Sequence, residues 1–327
     1  MKNQTRPFMS RKSAITLVLA LFIGWLVVSR AQAATLYATS ISGSQIDKVD
    51  TVANSVTTYL DTPSAADSII FDSSGNVIYT ELYTGNVVKY DPNTTISTSL
   101  ASGLSTPADM VLEPGGNSML VSEFSSGNID RITFSPNSVT TLSTGLGNPE
   151  GLAYDGNKLF ANIGYRGGGP TGKEVAEINP VTGAIMATSP GLNSLDGLTY
   201  DPYSGLLYAS SVFGNVIYSI DPNNLNNVQI ATASLGSVPG PDGITTDGVG
   251  NIFIASSYSI GDSHIYQLNL ISNTLTQDTF VNGLDDLAPA SGAGSVPEPS
   301  SLALLGLGCT GILRRRRHCE RAKSSAV

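Results

Sequence analysis

The 327-residue sequence predicts an all-β fold, a six-bladed β-propeller of four-stranded blades, from three observations. One phrase recurs six times: an acidic residue opens a short apolar strand, a Gly/Asn/Asp turn follows, then further strands. The openers are Asp67 (ADSIIFD), Asp109 (ADMVLEP), Glu150 (PEGLAYD), Asp196 (LDGLTYD), Asp242 (PDGITTD) and Asp285 (LDDLAPA), spaced by 42, 41, 46, 46 and 43 residues. A period in the low forties built only of short strands and turns is that of a propeller blade. Finally, the two ends are complementary. Thr35-Leu36-Tyr37-Ala38-Thr39-Ser40 matches a second strand, whereas Asp285-Asp286-Leu287 matches a first strand with nothing after it. Together they complete one blade and close the ring.

Within a blade the strands follow from local chemistry. Gly75-Asn76-Val77-Ile78-Tyr79-Thr80 precedes Gly85-Asn86-Val87-Val88-Lys89-Tyr90-Asp91-Pro92. Blade five repeats this as Gly205–Ser210 and Gly214–Pro222. Gly-Asn turns supply the positive φ that hairpins need, and Asp-Pro-Asn at 91–93 and 221–223 turns the third strand into the fourth. Blade four departs from the pattern through Gly164-Tyr165-Arg166-Gly167-Gly168-Gly169-Pro170-Thr171-Gly172-Lys173. Gly167 to Lys173 fits a phosphate-binding spacing superficially. Glu174 stands where Ser or Thr is required and no strand-to-helix context exists, so the segment reads as a lengthened hairpin loop.

The termini carry addresses. Lys2, Arg6, Arg11 and Lys12 precede the apolar run Ala14–Val28, and Ala31-Gln32-Ala33 offers a small-x-small cleavage site. Residues 1–33 are therefore expected to be a secretory signal peptide, the alternative being a retained membrane anchor. At the other end stand Pro297-Glu298-Pro299, an apolar stretch over 300–313, and Arg314, Arg315, Arg316 and Arg317. The order of these three parts resembles the PEP-CTERM sorting signal over residues 296–317. The resemblance implies a Gram-negative exporter that parks the protein in its inner membrane until an exosortase removes the tail. Four arginines hold the cytoplasmic side, and a fourteen-residue span is short of the ~20 a stable helix needs, as suits a removable anchor. Residues 318–327 form a cytoplasmic tail beyond the basic stop, where such signals usually end. The expected organisation is propeller 34–287, linker 288–295 and sorting signal 296–317, with cell-surface or extracellular delivery.

Both cysteines, Cys309 and Cys319, lie in this tail, so the exported body has no disulfide. Residues 34–295 hold 24 acidic and 6 basic side chains, a net charge of −18 that the whole-chain value of −9 conceals. Such a body repels nucleic acid phosphates and anionic membranes and favours cations. Its plainest explanation is surface solubility.

The P-[DE]-G-[LI]-x-x-D phrase resembles the SMP-30/gluconolactonase-like and NHL-type six-bladed propellers across residues 35–287. In the gluconolactonase-like group a divalent cation, usually calcium, sits in the central channel on Glu, Asn and Asp, with a further Asn against substrate. By blade position the resemblance implies metal ligands at Asp67, Asp196 and Asp242 and a substrate contact at Glu150. Asp109 and Asp285 complete the set of substrate-side candidates. Only Asp242, in Pro241-Asp242-Gly243-Ile244, keeps both residue type and motif; the other replacements are acidic, which retains hard oxygen ligands and adds charge. From the residues alone, six carboxylates converging on one channel must protonate or share a cation, if the first strands lie innermost. The alternative is that each acid caps the backbone ahead of its strand.

Groups for covalent or general-base catalysis are scarce. The propeller region has one histidine, His264, placed where a third strand begins, and no cysteine. This argues against a streptogramin-lyase-like reaction, which relies on histidines; no G-x-S-x-G elbow is present either. Two functions follow as expectations. One is an envelope or extracellular-matrix binding or structural module, with Tyr83, Phe124, Tyr165, Phe213 and Tyr258 near second-strand ends as contacts for an exopolysaccharide or an envelope protein. The other is a calcium-dependent lactone hydrolase in which the metal polarises the carbonyl.

Overall fold

The computed structural model describes residues 35–164, 172–257 and 263–290, and these form six antiparallel sheets and no helix. The segment expected to be a signal peptide (1–33), the tip of the blade-four loop, most of the expected linker (291–295), the sorting motif with the expected span 300–313 and the expected tail 318–327 lie outside the described residues. Among the described residues no helix is long and apolar enough to cross a membrane.

Each blade runs outward from an innermost strand. Blade two comprises Ala66–Phe71, Val77–Glu81, Asn86–Asp91 and Ile96–Ala101 in that spatial order. The innermost strands of blades three to six are Pro107–Leu112, Leu152–Tyr154, Leu195–Asp201 and Pro241–Thr246. Blade one draws its innermost strand, Leu284–Pro289, from the C-terminal end and pairs it with Thr35–Ser40, through Leu36 opposite Pro289 and Ala38 opposite Leu287. The ring is thus closed as the complementary ends predict. This strand runs two residues past the expected boundary at 287, because the Ala290 amide still donates to Thr35 O at 2.8 Å. Around the axis each innermost strand packs on the next, and Leu284–Pro289 returns to Ala66–Phe71.

Burial explains the strand composition. Second strands such as Val77–Glu81 are buried at every residue, whereas the outermost Ser55–Asp61 and Ile96–Ala101 are largely exposed. A strand covered on both faces reads as a continuous apolar run, and one facing water as a Ser/Thr-rich segment. The core lies between blades. Ile46 of blade one packs with Ala66, Ile69, Val77 and Tyr79 of blade two, and Phe253, Ala255 and Ile265 of blade six pack with Leu36 and Leu287 of blade one. Each fully buried aliphatic side chain contributes roughly 1.5–3 kcal/mol, so the six interfaces hold the ring without a disulfide. The edge-to-face contact of Tyr37 with Phe71 (4.9 Å) reinforces the first interface.

Glycine is required where backbones meet. Gly85 has φ +69°, and a Cβ there would lie 2.3 Å from Leu104 O. At the axis, a Cβ on Gly197 would stand 2.6 Å from Asp242 O, and Gly151 and Gly243 approach their neighbouring blades in the same way. The glycine after the acidic opener therefore lets blades four, five and six touch at the channel wall.

Gly197→Ala forces adjacent innermost strands apart. We expect a loss of roughly 1–3 kcal/mol, the usual range for overpacking, read as a lower melting temperature. Gly205→Ala, which meets nothing within 4 Å but has φ +72°, separates the cost of the conformation from that of contact. Equal melting temperatures for the two variants would refute the close-approach account.

Candidate functional site

The acidic openers sit in β-bulges. In blade two Ala66 faces Glu81 and Ile69 faces Tyr79, so three steps on the inner strand match two on its partner. The same shift occurs at Pro107/Met110, Leu195/Leu198, Pro241/Ile244 and Leu284/Leu287. A bulge re-aims side chains and leaves backbone groups unpaired. One buried polar side chain on the second strand takes them up in four blades, Thr39, Thr80, Ser122 and Ser210, and blade four carries Asn162 at the same position, all at 0% exposure. The Ser68 amide donates to Thr80 Oγ1 (2.9 Å), the Asp109 amide to Ser122 Oγ (2.9 Å), the Gly197 amide to Ser210 Oγ (2.8 Å) and the Asp286 amide to Thr39 Oγ1 (2.8 Å). Three of these side chains also reach the next blade. Thr39 Oγ1 donates to Asp67 O (2.6 Å), Asn162 Nδ2 to Asp196 O (2.5 Å) and Ser210 Oγ to Asp242 O (2.5 Å). Blade six carries Ala255 at this position.

The bulges bring Asp67, Asp196, Asp242 and Asp285 together at the wall of a central cavity of about 1340 Å³. The carboxyls of Asp67 and Asp285 hydrogen-bond to each other, as do those of Asp196 and Asp242, and the two pairs repel across the channel. Ser257 Oγ donates to Asp242 Oδ2 at 2.5 Å. Burial pushes Asp67 up to about 6, with the charge of Asp196 adding and the bond from Asp285 opposing. Burial, then neighbouring carboxylates, holds Asp242 and Asp285 well above the usual carboxylate range; Asp196 is also raised by burial, against the pull of Lys173. Among the described residues no three His, Cys, Asp or Glu side chains already stand in a metal-holding arrangement.

Two openers behave differently. Glu150 precedes a short inner strand and forms an ion pair with Lys173. Asp109 is one residue out of step, since Ala108 occupies the bulge position of Asp67. Its carboxylate turns into the wall and accepts from the Leu152 amide (2.6 Å), the Met110 amide (2.6 Å) and Ser68 Oγ (2.9 Å). Burial nevertheless raises Asp109 to about 7. This acid ties blade three to blade four, which is the capping role. Asp286 does the same for blade one, accepting from the Ile69 amide at 3.3 Å, and burial with the charge of Asp109 raises it strongly. The frame was legible: an acid five residues after the opener, at Asp72, Glu113, Asp155, Asp201 and Asp247, points back to 67, 108, 150, 196 and 242.

Lys173, read from sequence as part of a loop, is the main residue missed. It lies on the third strand of blade four, Gly172–Ile178, opposite Gly164, and its ammonium sits 5.8 Å from the Phe124 ring centroid. Burial lowers it to about 8, against the carboxylates of Asp196 and Asp242. Of the aromatic candidates, Phe124 lines the cavity and Tyr83 (76%) and Phe213 (77%) are exposed, while Tyr165 and Tyr258 lie outside the described residues. His264 begins a third strand, as expected, with its ring 5.6 Å from Phe280.

Raised carboxyl pKa values set the sign of the pH dependence. A group held protonated by the fold stabilises below its unfolded value, near 3.8, and that stability is lost as pH rises through about 6 for Asp67 and about 7 for Asp109. Asp72 and Glu113, lowered despite burial by Asn76 with Lys89 and by Arg131 with Ser118 respectively, act oppositely, losing stability in acid. Melting temperature in EDTA should therefore fall between about pH 4 and pH 7. Asp285→Asn should flatten that fall and raise the melting temperature at the alkaline end, because burial and the neighbouring carboxylates hold this carboxyl well above its usual range. A flat wild-type profile in differential scanning calorimetry would show the acids to be fully solvated.

Comparison with known proteins supports the architecture and the address. The PEP-CTERM protein-sorting motif matches residues 295–317. No curated protein sequence matches the chain. Among solved structures, the fold is similar to one in the crystal structure of a nidogen/laminin complex, at TM-score 0.66 and 16% identity over 79% of this chain and 98% of that one. It is also similar to virginiamycin B lyase from Staphylococcus aureus (TM-score 0.53, 16% identity, 76% and 86% covered). A streptogramin B lyase structure gives TM-score 0.55 at 16% identity, with 77% and 81% covered. At such identity the likeness is one of fold. The chain is thus a six-bladed β-propeller with a PEP-CTERM sorting motif, exported and held at the membrane by its C-terminal end before processing.

Proposed function

We propose that this propeller is a binding or structural module of the cell envelope or extracellular matrix, and that its channel mouth takes a divalent cation, calcium fitting best. The observation that carries this reading is the cluster of Asp67, Asp196, Asp242 and Asp285 on the channel wall. These are hard oxygen donors of the type calcium prefers, on four separate strands. Their shared charge is met by hydrogen bonds between carboxyls, an arrangement that a doubly charged ion would replace by drawing off the protons. Asp67, Asp196 and Asp242 are the expected ligands, with Asp285 beside them, and their side chains must turn from one another toward the ion.

Binding is favoured over lactone hydrolysis because the positions that carry Glu and Asn in gluconolactonase-like proteins carry aspartates here, and these pair with each other. The sorting motif supports display outside the inner membrane, and the exposed Tyr83 and Phe213 suit a polysaccharide or protein contact.

Titration calorimetry with calcium should show one-site binding to the wild-type protein and its loss in Asp242→Asn, with a melting temperature higher in calcium than in EDTA. Absence of heat and of any thermal shift would retire the cation, and activity toward sugar lactones would overturn the non-catalytic reading. For the address, replacing Pro297, Glu298 and Pro299 by Ala should leave an unprocessed chain in the membrane fraction. Normal release of that variant, judged by fractionation and C-terminal mass, would exclude processing through this motif.

A further inference from the structure

Blade four differs from the others at one residue beside the acidic mouth. Its second and third strands pair one residue further than in the other blades: Ile163 faces Glu174 where Glu81 faces Asn86, Glu123 faces Asn128 and Ser211 faces Val216, and beyond that pair Gly164 faces Lys173. The backbone of Lys173 is clamped twice, by Gly164 on one side and by Leu192 of an extra strand, Leu192–Asn193, on the other. Its side chain is only 15% exposed and ends against Glu150, near the face of Phe124, with Asp196 and Asp242 acting on it from blades five and six. The other ion-paired cations stay away from this cluster: Lys89 bonds Asp72, Arg131 bonds Glu113, and Lys158 bonds Glu177. Among the described residues Lys173 is therefore the cation that serves the mouth. Burying a lysine is unfavourable, and the group tolerates it here because Glu150 pairs with it and the charges of Asp196 and Asp242 favour the ammonium form.

We propose that the Lys173 ammonium is the resident cation of the channel mouth, and that a soluble cation gains the carboxylate cluster only by displacing it. The inference rests on the cation-binding reading above and adds its regulation. Glu150 is then the latch that holds the lysine, and the mouth selects ligands carrying more than one positive charge, since a single charge merely exchanges for another. Phe124 contributes a ring face on which the ammonium rests.

The test compares full-length wild-type, Lys173→Met and Lys173→Ala proteins at neutral pH. Met keeps the apolar stem, so folding is preserved if Ala proves damaging. Both variants should bind calcium about tenfold more tightly than wild type, since displacement of the lysine no longer opposes binding. Both should melt below wild type in EDTA. Millimolar propylammonium, a detached lysine head, should restore the melting temperature of Lys173→Ala, whereas sodium at equal ionic strength should not. Unchanged calcium affinity in both variants overturns the inference while leaving the calcium reading intact. Absence of calcium binding in all three proteins, combined with propylammonium rescue, sinks the calcium reading and supports the lysine as resident cation. Melting temperatures equal to wild type, without rescue, overturn the resident role.

Discussion

The structure depends on how adjacent blades are joined at the axis. Each innermost strand must bend sharply where the ring is narrowest, and the bulge that bends it strips backbone groups of their ladder partners. An unsatisfied buried amide costs about as much as a lost hydrogen bond, so the bulge needs a polar side chain beside it. Thr39, Thr80, Ser122 and Ser210 fill that place, and Thr39, Asn162 and Ser210 bond a carbonyl of the next blade. These contacts tie local chain geometry to ring closure. The apolar interfaces outside them supply most of the burial, but the small polar residues set where the strands turn.

The same bulge turns an acidic residue toward the channel, and here structure and electrostatics conflict. Four aspartates share a confined space in a body whose exported part carries a net charge of −18, from 24 acidic and 6 basic residues. Held protons, carboxyl pairs and Lys173 answer that repulsion within the molecule. Asp109 and Asp286 stand one residue further on and face the wall, where they accept backbone amides. A single register step therefore separates an acid that binds blades together from one that confronts the channel.

Much of this was legible before the fold. Blade number, the shared first blade and the strand boundaries follow from period and turn chemistry, because hairpins demand particular residues at particular places. The convergence of Asp67, Asp196, Asp242 and Asp285 also follows once first strands are taken as innermost. Asp109 escaped the correct register because spacing between openers absorbs a one-residue slip, which the acid ending each strand, such as Glu113, would have exposed. Lys173 escaped because its partners, Glu150, Asp196 and Asp242, are up to 69 residues away in sequence and belong to three different blades.

The sequence by itself determined the repeat, the closure and the address, since each is written in short segments whose preferences are local: a Gly-Asn turn, an apolar run, a Pro-Glu-Pro motif before a basic stop. Only the tertiary structure decided which carboxylates meet and which are spent on backbone amides. That choice depends on bulge register and on distances across a closed ring, and neither quantity exists until the last strand has paired with the first.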